Sequence, residues 1–148
     1  MRKYAYLALA LLFTALFIVG CGKKDEPFDA EKAWSRLVSE VNFDAELNDA
    51  SDYADFVFGD VADGAEIKMM MADGKYEDAV IMIRLADGKD ADNAVAAIDE
   101  YLGQRKTEAE RYEPAEVPKI ENAVVRVEGV CVFCVITNDT ATVNDILK

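Results

Sequence analysis

The stretch AVVRVEGVCVFCVIT at residues 123–137 decides the fold class. Two runs rich in β-branched and apolar residues, 123–127 and 130–137, flank the pair Glu128-Gly129. Such runs predict strands, and a two-residue connection that contains glycine predicts a tight antiparallel hairpin. The chain is therefore expected to contain an antiparallel sheet.

Two cysteines lie in this hairpin at the spacing of a redox motif. Cys131 and Cys134 form a C-x-x-C pattern inside a strand-like run, not at the start of a helix, where a thiolate would be stabilised. Strand positions three apart lie on opposite faces and about 10 Å apart, beyond the ~7 Å limit for a disulfide. The pattern favours two small core residues over a redox pair.

A second pair of strands precedes the hairpin. Residues 65–71 and 78–85 show strand-like patterns and are separated by a turn at Asp73-Gly74. Residues 80–83 are apolar on both faces, which is typical of a central strand. The three methionines at 69–71 alternate between the two faces of their strand, so they predict packing and not a metal site.

Apolar residues recur at helical spacing in four segments, at about 28–41, 51–59, 90–112 and 141–147. Asp29, Asp90 and Thr140 are placed as N-caps of three of them. The longest helix must end before Pro114, because the residue before a proline is pushed out of the helical region. The order α-α-β-β-α-β-β-α predicts an α+β fold: an antiparallel sheet of about four strands with helices packed on one face.

The first 20 residues predict a cleaved signal peptide. Arg2 and Lys3 form a basic start, and residues 4–19 contain no charge and no proline. This apolar stretch is shorter than the roughly 20 residues that a spanning helix needs. The expected organisation is a signal peptide at 1–20, a lipidated tether at 21–27 and a single α+β domain at 28–148.

The end of the signal, Ile18-Val-Gly-Cys21, resembles the bacterial lipobox. The resemblance implies transfer of diacylglycerol to the Cys21 sulfur and cleavage after Gly20. Two acyl chains give stable anchoring, so we expect a lipid-anchored protein on the extracytoplasmic face of the cell membrane, with membrane lipid as its first partner. The alternative is an uncleaved anchor; there too, Arg2 and Lys3 stay inside and the domain lies outside the cytoplasm.

Charge and composition exclude several classes of function. A net charge of −13 argues against nucleic-acid binding, which needs a basic footprint. The chain contains no histidine, so no Ser-His or Cys-His triad and no zinc motif can be assembled. Acidic segments at 60–64 and 87–93 do not match a calcium-binding loop. The 29 acidic residues leave a carboxylate-pair hydrolase open, yet no pair stands out.

Residues 112–123, YEPAEVPKIENA, carry a second resemblance. With the strands that follow, this segment is similar to small uncharacterised lipoproteins of anaerobic Gram-positive bacteria, which form a domain-of-unknown-function family. Shared features are the lipobox, an apolar first helix, an aromatic-glycine pair at Phe58-Gly59 and a strand before a long helix. The family usually has an aromatic residue where this chain has Cys131 and Phe133, and it brings no known activity.

These observations favour a non-enzymatic, membrane-anchored module without a cofactor or a metal. We expect it to bind an envelope protein through a face of its sheet or an exposed strand edge. The alternative is an accessory lipoprotein that binds a small ligand or a cation. Thermal-shift screening separates the two, because only the second is stabilised by small molecules.

The lipobox generates the first testable prediction. The protein extracted from membranes should have a mass that starts at Cys21 and includes two acyl chains, and a Cys21→Ala variant should lack them. Intact-mass spectrometry of both proteins makes the comparison. A wild-type mass that starts at Met1 without lipid would instead indicate an uncleaved anchor.

Overall fold

The structure, a computed structural model, describes residues 27–148 except for the side chains of Asp60, Ala62 and Lys89. The predicted signal peptide and Cys21 lie outside the described residues. The helices are α1 (Ala30–Glu40), α2 (Ala54–Val57), α3 (Gly59–Ala62), α4 (Ala91–Tyr112), α5 (Val117–Glu121) and α6 (Thr140–Ile146). The strands are β1 (Leu47–Asp49), β2 (Glu66–Ala72), β3 (Ala79–Arg84), β4 (Val124–Glu128) and β5 (Cys131–Ile136).

These strands form one antiparallel sheet in the order β1-β2-β3-β5-β4, which confirms the predicted α+β class. The sheet has five strands where the sequence predicted about four. The additional strand, β1, is three residues long and pairs with the end of β2 through Leu47 and Ala72. Its polar residues carry no strand pattern of their own, so pairing with β2 is what makes the segment a strand.

Helices cover both faces of the sheet, and the prediction that they pack on one face was wrong. Helices α1 and α6 pack on the face that carries Val80 and Met82, whereas α4 packs on the face that carries Ile81 and Ile83. All four of these β3 side chains are fully buried. A strand that is apolar on both faces needs a helical layer on each side, which gives three layers.

The alternation of side chains within the strands is as predicted. Cys131 belongs to the apolar cluster around α1 and α6, and Cys134 to the cluster around α4. Met69 and Met71 lie on the α4 side of β2, and Met70 lies on the other. The two cysteines are therefore buried core residues with free thiols on opposite faces.

Of the three predicted helix N-caps, one is confirmed and two are corrected. Asp29 Oδ1 accepts a hydrogen bond from the Lys32 N–H at 3.0 Å, as an N-cap does. Asp90 stands at the start of α4 but makes no capping hydrogen bond with its side chain. At α6 the cap is Asp139 and not Thr140; its Oδ1 accepts from the Thr142 N–H at 3.3 Å.

The turn of the β4–β5 hairpin lies one residue later than predicted. Glu128 pairs with Cys131, so the two connecting residues are Gly129 and Val130. Gly129 has φ +62° and Val130 does not have a positive φ, which is the pattern of a type II′ turn. Glycine at the first central position fixes the register, because other residues reach this conformation only with strain.

We expect a Gly129→Ala substitution to lower the free energy of unfolding by about 1–2 kcal/mol, the cost of a left-handed conformation for an L-residue. The new Cβ would meet no atom within 4 Å, so the loss is conformational and not steric. Gly103→Ala within α4 is the matched control, since its Cβ also meets open space. The Gly103→Ala substitution should raise the free energy of unfolding by about 0.5–1 kcal/mol, because alanine is favoured over glycine within a helix. Urea unfolding measures both; equal effects would contradict the turn assignment.

Candidate binding groove

A cavity of about 560 Å³ lies between residues 51–62 and helix α4. Four aromatic side chains line it: Tyr53, Phe56, Phe58 and Tyr101. Two of them are buried and belong to the core, whereas Tyr53 is 50% exposed and Phe56 is 80% exposed. We call this cavity the aromatic groove; its volume lies in the range of ligand pockets, and polar and charged side chains of α4 line it together with the aromatic ones.

One wall of the aromatic groove is a series of short helical turns that are fixed from below. The Ser51 hydroxyl accepts a hydrogen bond from the Met69 N–H at 3.1 Å, which joins the wall to β2. Phe58 is 1% exposed, and its ring lies 5.7 Å from the ring of Tyr101. With Phe58 facing the core, Tyr53 and Phe56 lie at the surface, where their ring centroids are 5.1 Å apart.

The opposite wall is α4. Tyr101 is buried in it, and burial raises the pKa of its phenol, which therefore stays neutral. The Tyr101 hydroxyl lies 4.0 Å from the Met71 sulfur, a weak contact. The central side chain of the groove is thus an apolar ring with one weakly engaged hydroxyl, suited to packing and not to acid–base chemistry.

The charged side chains of the groove are unequally engaged. Arg105 binds Glu77, with its Nη2 atom 2.6 Å from Glu77 Oε2, and binds Glu108 at 3.0 Å. Burial raises the pKa of Glu77, although its contact with Arg105 acts in the opposite direction. Glu100 accepts a hydrogen bond from Gln104 at 3.2 Å and makes no ion pair with the part of the chain that the structure describes.

A second polar feature, which we call the Lys119 cluster, consists of Lys119, Asp44, Asp78 and Glu116. Lys119 Nζ lies 2.7 Å from Asp44, 2.8 Å from Glu116 and 3.0 Å from Asp78. The lysine and Asp78 are almost completely buried. Burial lowers the pKa of Lys119, but hydrogen bonds to the three carboxylates outweigh it, so the pKa is raised.

The charged ammonium of Lys119 makes the cluster a structural feature. It has no lone pair for nucleophilic or base chemistry, and it fills the position that a bound cation would take. Across residues 27–148, no group of three His, Cys, Asp or Glu residues is arranged to hold a metal ion. The Oδ1 atom of Asp78 is buried without a hydrogen-bond partner in the described structure. Such an unsatisfied atom increases the loss of folding stability that follows from any substitution that removes Lys119.

The two strand cysteines do not form a redox site. Burial raises the pKa of Cys134 to about 12, so this thiol is protonated near neutral pH. Thiol–disulfide exchange requires a thiolate, and Cys131 lies on the other face of β5. The interpretation as core residues is therefore supported by geometry and by protonation.

No residue of the aromatic groove or of the Lys119 cluster was predicted as a site from the sequence. Cys21, the predicted lipidation site, lies outside the described residues. Within residues 27–148, no helix combines the length and the apolarity that crossing a membrane requires.

Comparison with protein families gives a match over residues 60–137, to a domain of unknown function (DUF4358). The chain belongs to this family. The match covers more than half of the chain. It confirms the part of the predicted resemblance that assigned the chain to a domain-of-unknown-function family. No curated protein and no solved structure matches the chain.

The DUF4358 region contains one wall of the aromatic groove and most of the Lys119 cluster. It runs from α3 to the end of β5 and includes α4, Asp78 and Lys119. Tyr53, Phe56 and Asp44 precede it. The exposed aromatic pair therefore lies outside the matched region, on the segment between β1 and β2.

Replacing Lys119 should test the structural role of the cluster. Lys119→Met leaves the buried Asp78 carboxylate without its partner, so it should lower the free energy of unfolding by about 3–5 kcal/mol. The double variant Lys119→Met/Asp78→Leu should recover most of this loss. As a control, Lys106→Met removes an exposed pair with Glu121 and should cost at most about 1 kcal/mol. Equal losses in the two single variants would contradict the assignment.

The pKa of Lys119 also predicts a pH dependence. Because the folded state raises this pKa above the ordinary value of 10.5, the stabilisation is complete below pH 10.5 and is lost as the pH rises through the folded pKa. Tyr101 contributes in the same direction in every variant, so the difference between the wild type and the double variant isolates Lys119. Parallel profiles of unfolding free energy above pH 10 would contradict this prediction.

Proposed function

We propose that this protein is a lipid-anchored, non-enzymatic interaction module on the extracytoplasmic face of the membrane, whose aromatic groove binds a segment of a partner protein. The observation that carries the proposal is the exposure of Tyr53 and Phe56, 50% and 80%, beside a cavity lined by the core residues Phe58 and Tyr101. Exposed aromatic side chains next to a pocket are typical of the residues that dominate binding energy at interfaces.

The anchor in this proposal is Cys21 within the lipobox, as in the small lipoproteins of anaerobic Gram-positive bacteria that the chain resembles. Six residue steps separate Cys21 from Pro27, a reach of at most about 20 Å. The domain would therefore stay close to the membrane surface. Its partner is then a protein of the cell envelope or of the same membrane.

The aromatic groove is well placed for such a partner. Pro27 lies near Arg84 and Gly129, at the end of the sheet where β3 finishes. Met71, which lines the groove, pairs with Ala79 at the opposite end of β3. A six-residue strand spans about 20 Å, so the part of the groove at Met71 is separated by that length of sheet from the point where the tether leaves the domain.

Other parts of the surface fit a partner less well. Both faces of the sheet are covered by helices, so the sheet face expected from the sequence is not accessible. The β4 edge exposes Val127, but Arg126 and Glu128 flank it, and charges on an edge strand oppose pairing with another chain. The charged Lys119 and the protonated Cys134 favour a role without catalysis.

The volume of the groove supports a second candidate function. About 560 Å³ lies in the range of small-molecule pockets, which fits an accessory lipoprotein that binds a small ligand. A ligand present at 100 times its dissociation constant would stabilise the domain by about 2.7 kcal/mol. Thermal-shift screening therefore distinguishes a small-ligand site from a protein-binding site.

Site-specific photo-crosslinking tests the protein-binding function. A photoreactive residue at Phe56 of the full-length, membrane-anchored chain should give one dominant protein adduct in intact cells. The same residue at Val127, on the opposite edge of the sheet, is the control and should not give that adduct. Addition of Tyr53→Ser should weaken the Phe56 adduct while leaving stability within about 0.5 kcal/mol, because both positions are exposed.

The crosslinking result has clear contrary outcomes. An adduct that forms only at Val127 would move the binding surface to the β4 edge. An adduct that forms equally at both positions, or at neither, would reject the aromatic groove as a protein-binding site.

A further inference from the structure

The charges around the aromatic groove specify the chemistry of its partner, if the groove binds a protein segment as proposed above. Arg105 is fully engaged by Glu77 and Glu108, so its cation is neutralised within the domain. The carboxylate of Glu100 lines the same cavity and has no ionic partner among the described residues. The negative charge available to a ligand is therefore on α4, facing the cavity.

The opposite wall provides aromatic rings together with further negative charge. Tyr53 and Phe56 form an exposed ring pair, and Asp52 and Asp55 on the same segment are also exposed. A lysine or arginine head group is attracted to the face of an aromatic ring, by about 0.5–1 kcal/mol at an exposed site. Ring faces on one wall, the Glu100 carboxylate on the other and the exposed carboxylates of Asp52 and Asp55 beside the rings form an environment that selects an organic cation.

The net charge of the protein disfavours two other occupants of the groove. At −13, one copy of the chain repels a second copy, so the groove is not expected to serve self-association. The same charge opposes contact with anionic lipid head groups. Both arguments leave a cationic partner as the electrostatically favoured one.

The surface beside the groove is long enough for a peptide. A second depression along α4 shares Glu100, Gln104 and Glu108 with the groove and continues to Tyr112, which is 73% exposed. From Ala97 to Tyr112 the helix rises about 22 Å, which matches six or seven extended residues. Arg111 lines the far depression, so the cationic group belongs at the end that carries Tyr53 and Phe56.

We propose that the aromatic groove recognises a basic peptide segment of its partner protein. A lysine or arginine head group of that segment contacts the Phe56 ring and the Glu100 carboxylate, and its apolar stem packs between the two walls. The rest of the segment lies along α4 toward Tyr112. Lysine and arginine suit such a site because their side chains combine an apolar stem with a charged end.

A random peptide display library panned on the full-length chain in detergent micelles tests this proposal. Selected peptides should be enriched in lysine or arginine, and their affinity should fall as the salt concentration rises. Phe56→Ala should weaken binding about fivefold or more, as for an interface anchor. Glu100→Gln should weaken it about two- to fivefold. Glu110→Gln is the matched control on the same helix, outside the groove, and should have little effect.

Several results would overturn the proposal. Equal losses in Glu100→Gln and Glu110→Gln would indicate attraction to the overall charge and not to the groove. Neutral or acidic peptides that depend on Phe56 would refute the cationic chemistry while leaving the groove as a protein-binding site. Stabilisation by tetramethylammonium without any peptide binder would replace the peptide by a small cation. Absence of any Phe56-dependent binder, together with a negative crosslinking result, would reject the protein-binding function as well.

Discussion

The complete burial of β3 and β5 on both faces is the constraint on which the rest of the structure depends. From Val80 to Ile83 and from Val132 to Ile136, every side chain has essentially no exposed surface. Fully burying an apolar side chain of this size stabilises a fold by about 1.5–3 kcal/mol, so neither face can be left open to water. The amphipathic helices follow from this requirement: α1 and α6 cover one face and α4 covers the other.

Polar contacts at one end of the sheet then fix the connections between these layers. The chain that leaves α1 is held to the end of β5, because Asp139 accepts hydrogen bonds from the backbone and side chain of Asn42 at 3.1 and 2.9 Å. Two residues later, Asp44 binds Lys119. This anchoring directs the chain into β1, and β1 leads directly into the segment that carries Tyr53 and Phe56. The position of the aromatic wall thus depends on hydrogen bonds and an ion pair between residues that are distant in sequence.

The periodic parts of the fold could be predicted from the sequence, because local patterns determine them. Alternation along a strand placed Cys131 and Cys134 on opposite faces, and the Asp29 cap followed from local backbone geometry. The number of helical layers was not recovered, although residues 80–83 were recognised as apolar on both faces. An amphipathic stripe shows that a helix has a buried side but not which face of the sheet it covers. The short strand β1 exists only through its pairing with β2, which leaves no local signal.

The candidate sites were missed for a related reason. Lys119 meets Asp78, 41 residues away, and Asp44 only through the topology of the sheet, so no local spacing reveals the cluster. In the groove, Phe56 and Phe58 are two residues apart and chemically identical, yet one is 80% exposed and the other 1%. Their difference arises from the direction in which a short helical turn faces α4. The apolar spacing over residues 51–59 predicts helical turns, but it does not show which aromatic side chain of the segment faces the core.

The construction of the aromatic wall also bears on how a partner would bind. Helices α2 and α3 are four residues each, too short to be stable without tertiary contacts. The wall depends on a few such tertiary contacts, including the Ser51–Met69 hydrogen bond and the packing of Phe58 on Tyr101. A segment that packs on Phe56 and on α4 at once would add contacts across the groove and stabilise the wall. Binding and local stability are therefore linked. A partner that recognises the groove should also protect the α2–α3 wall against local unfolding.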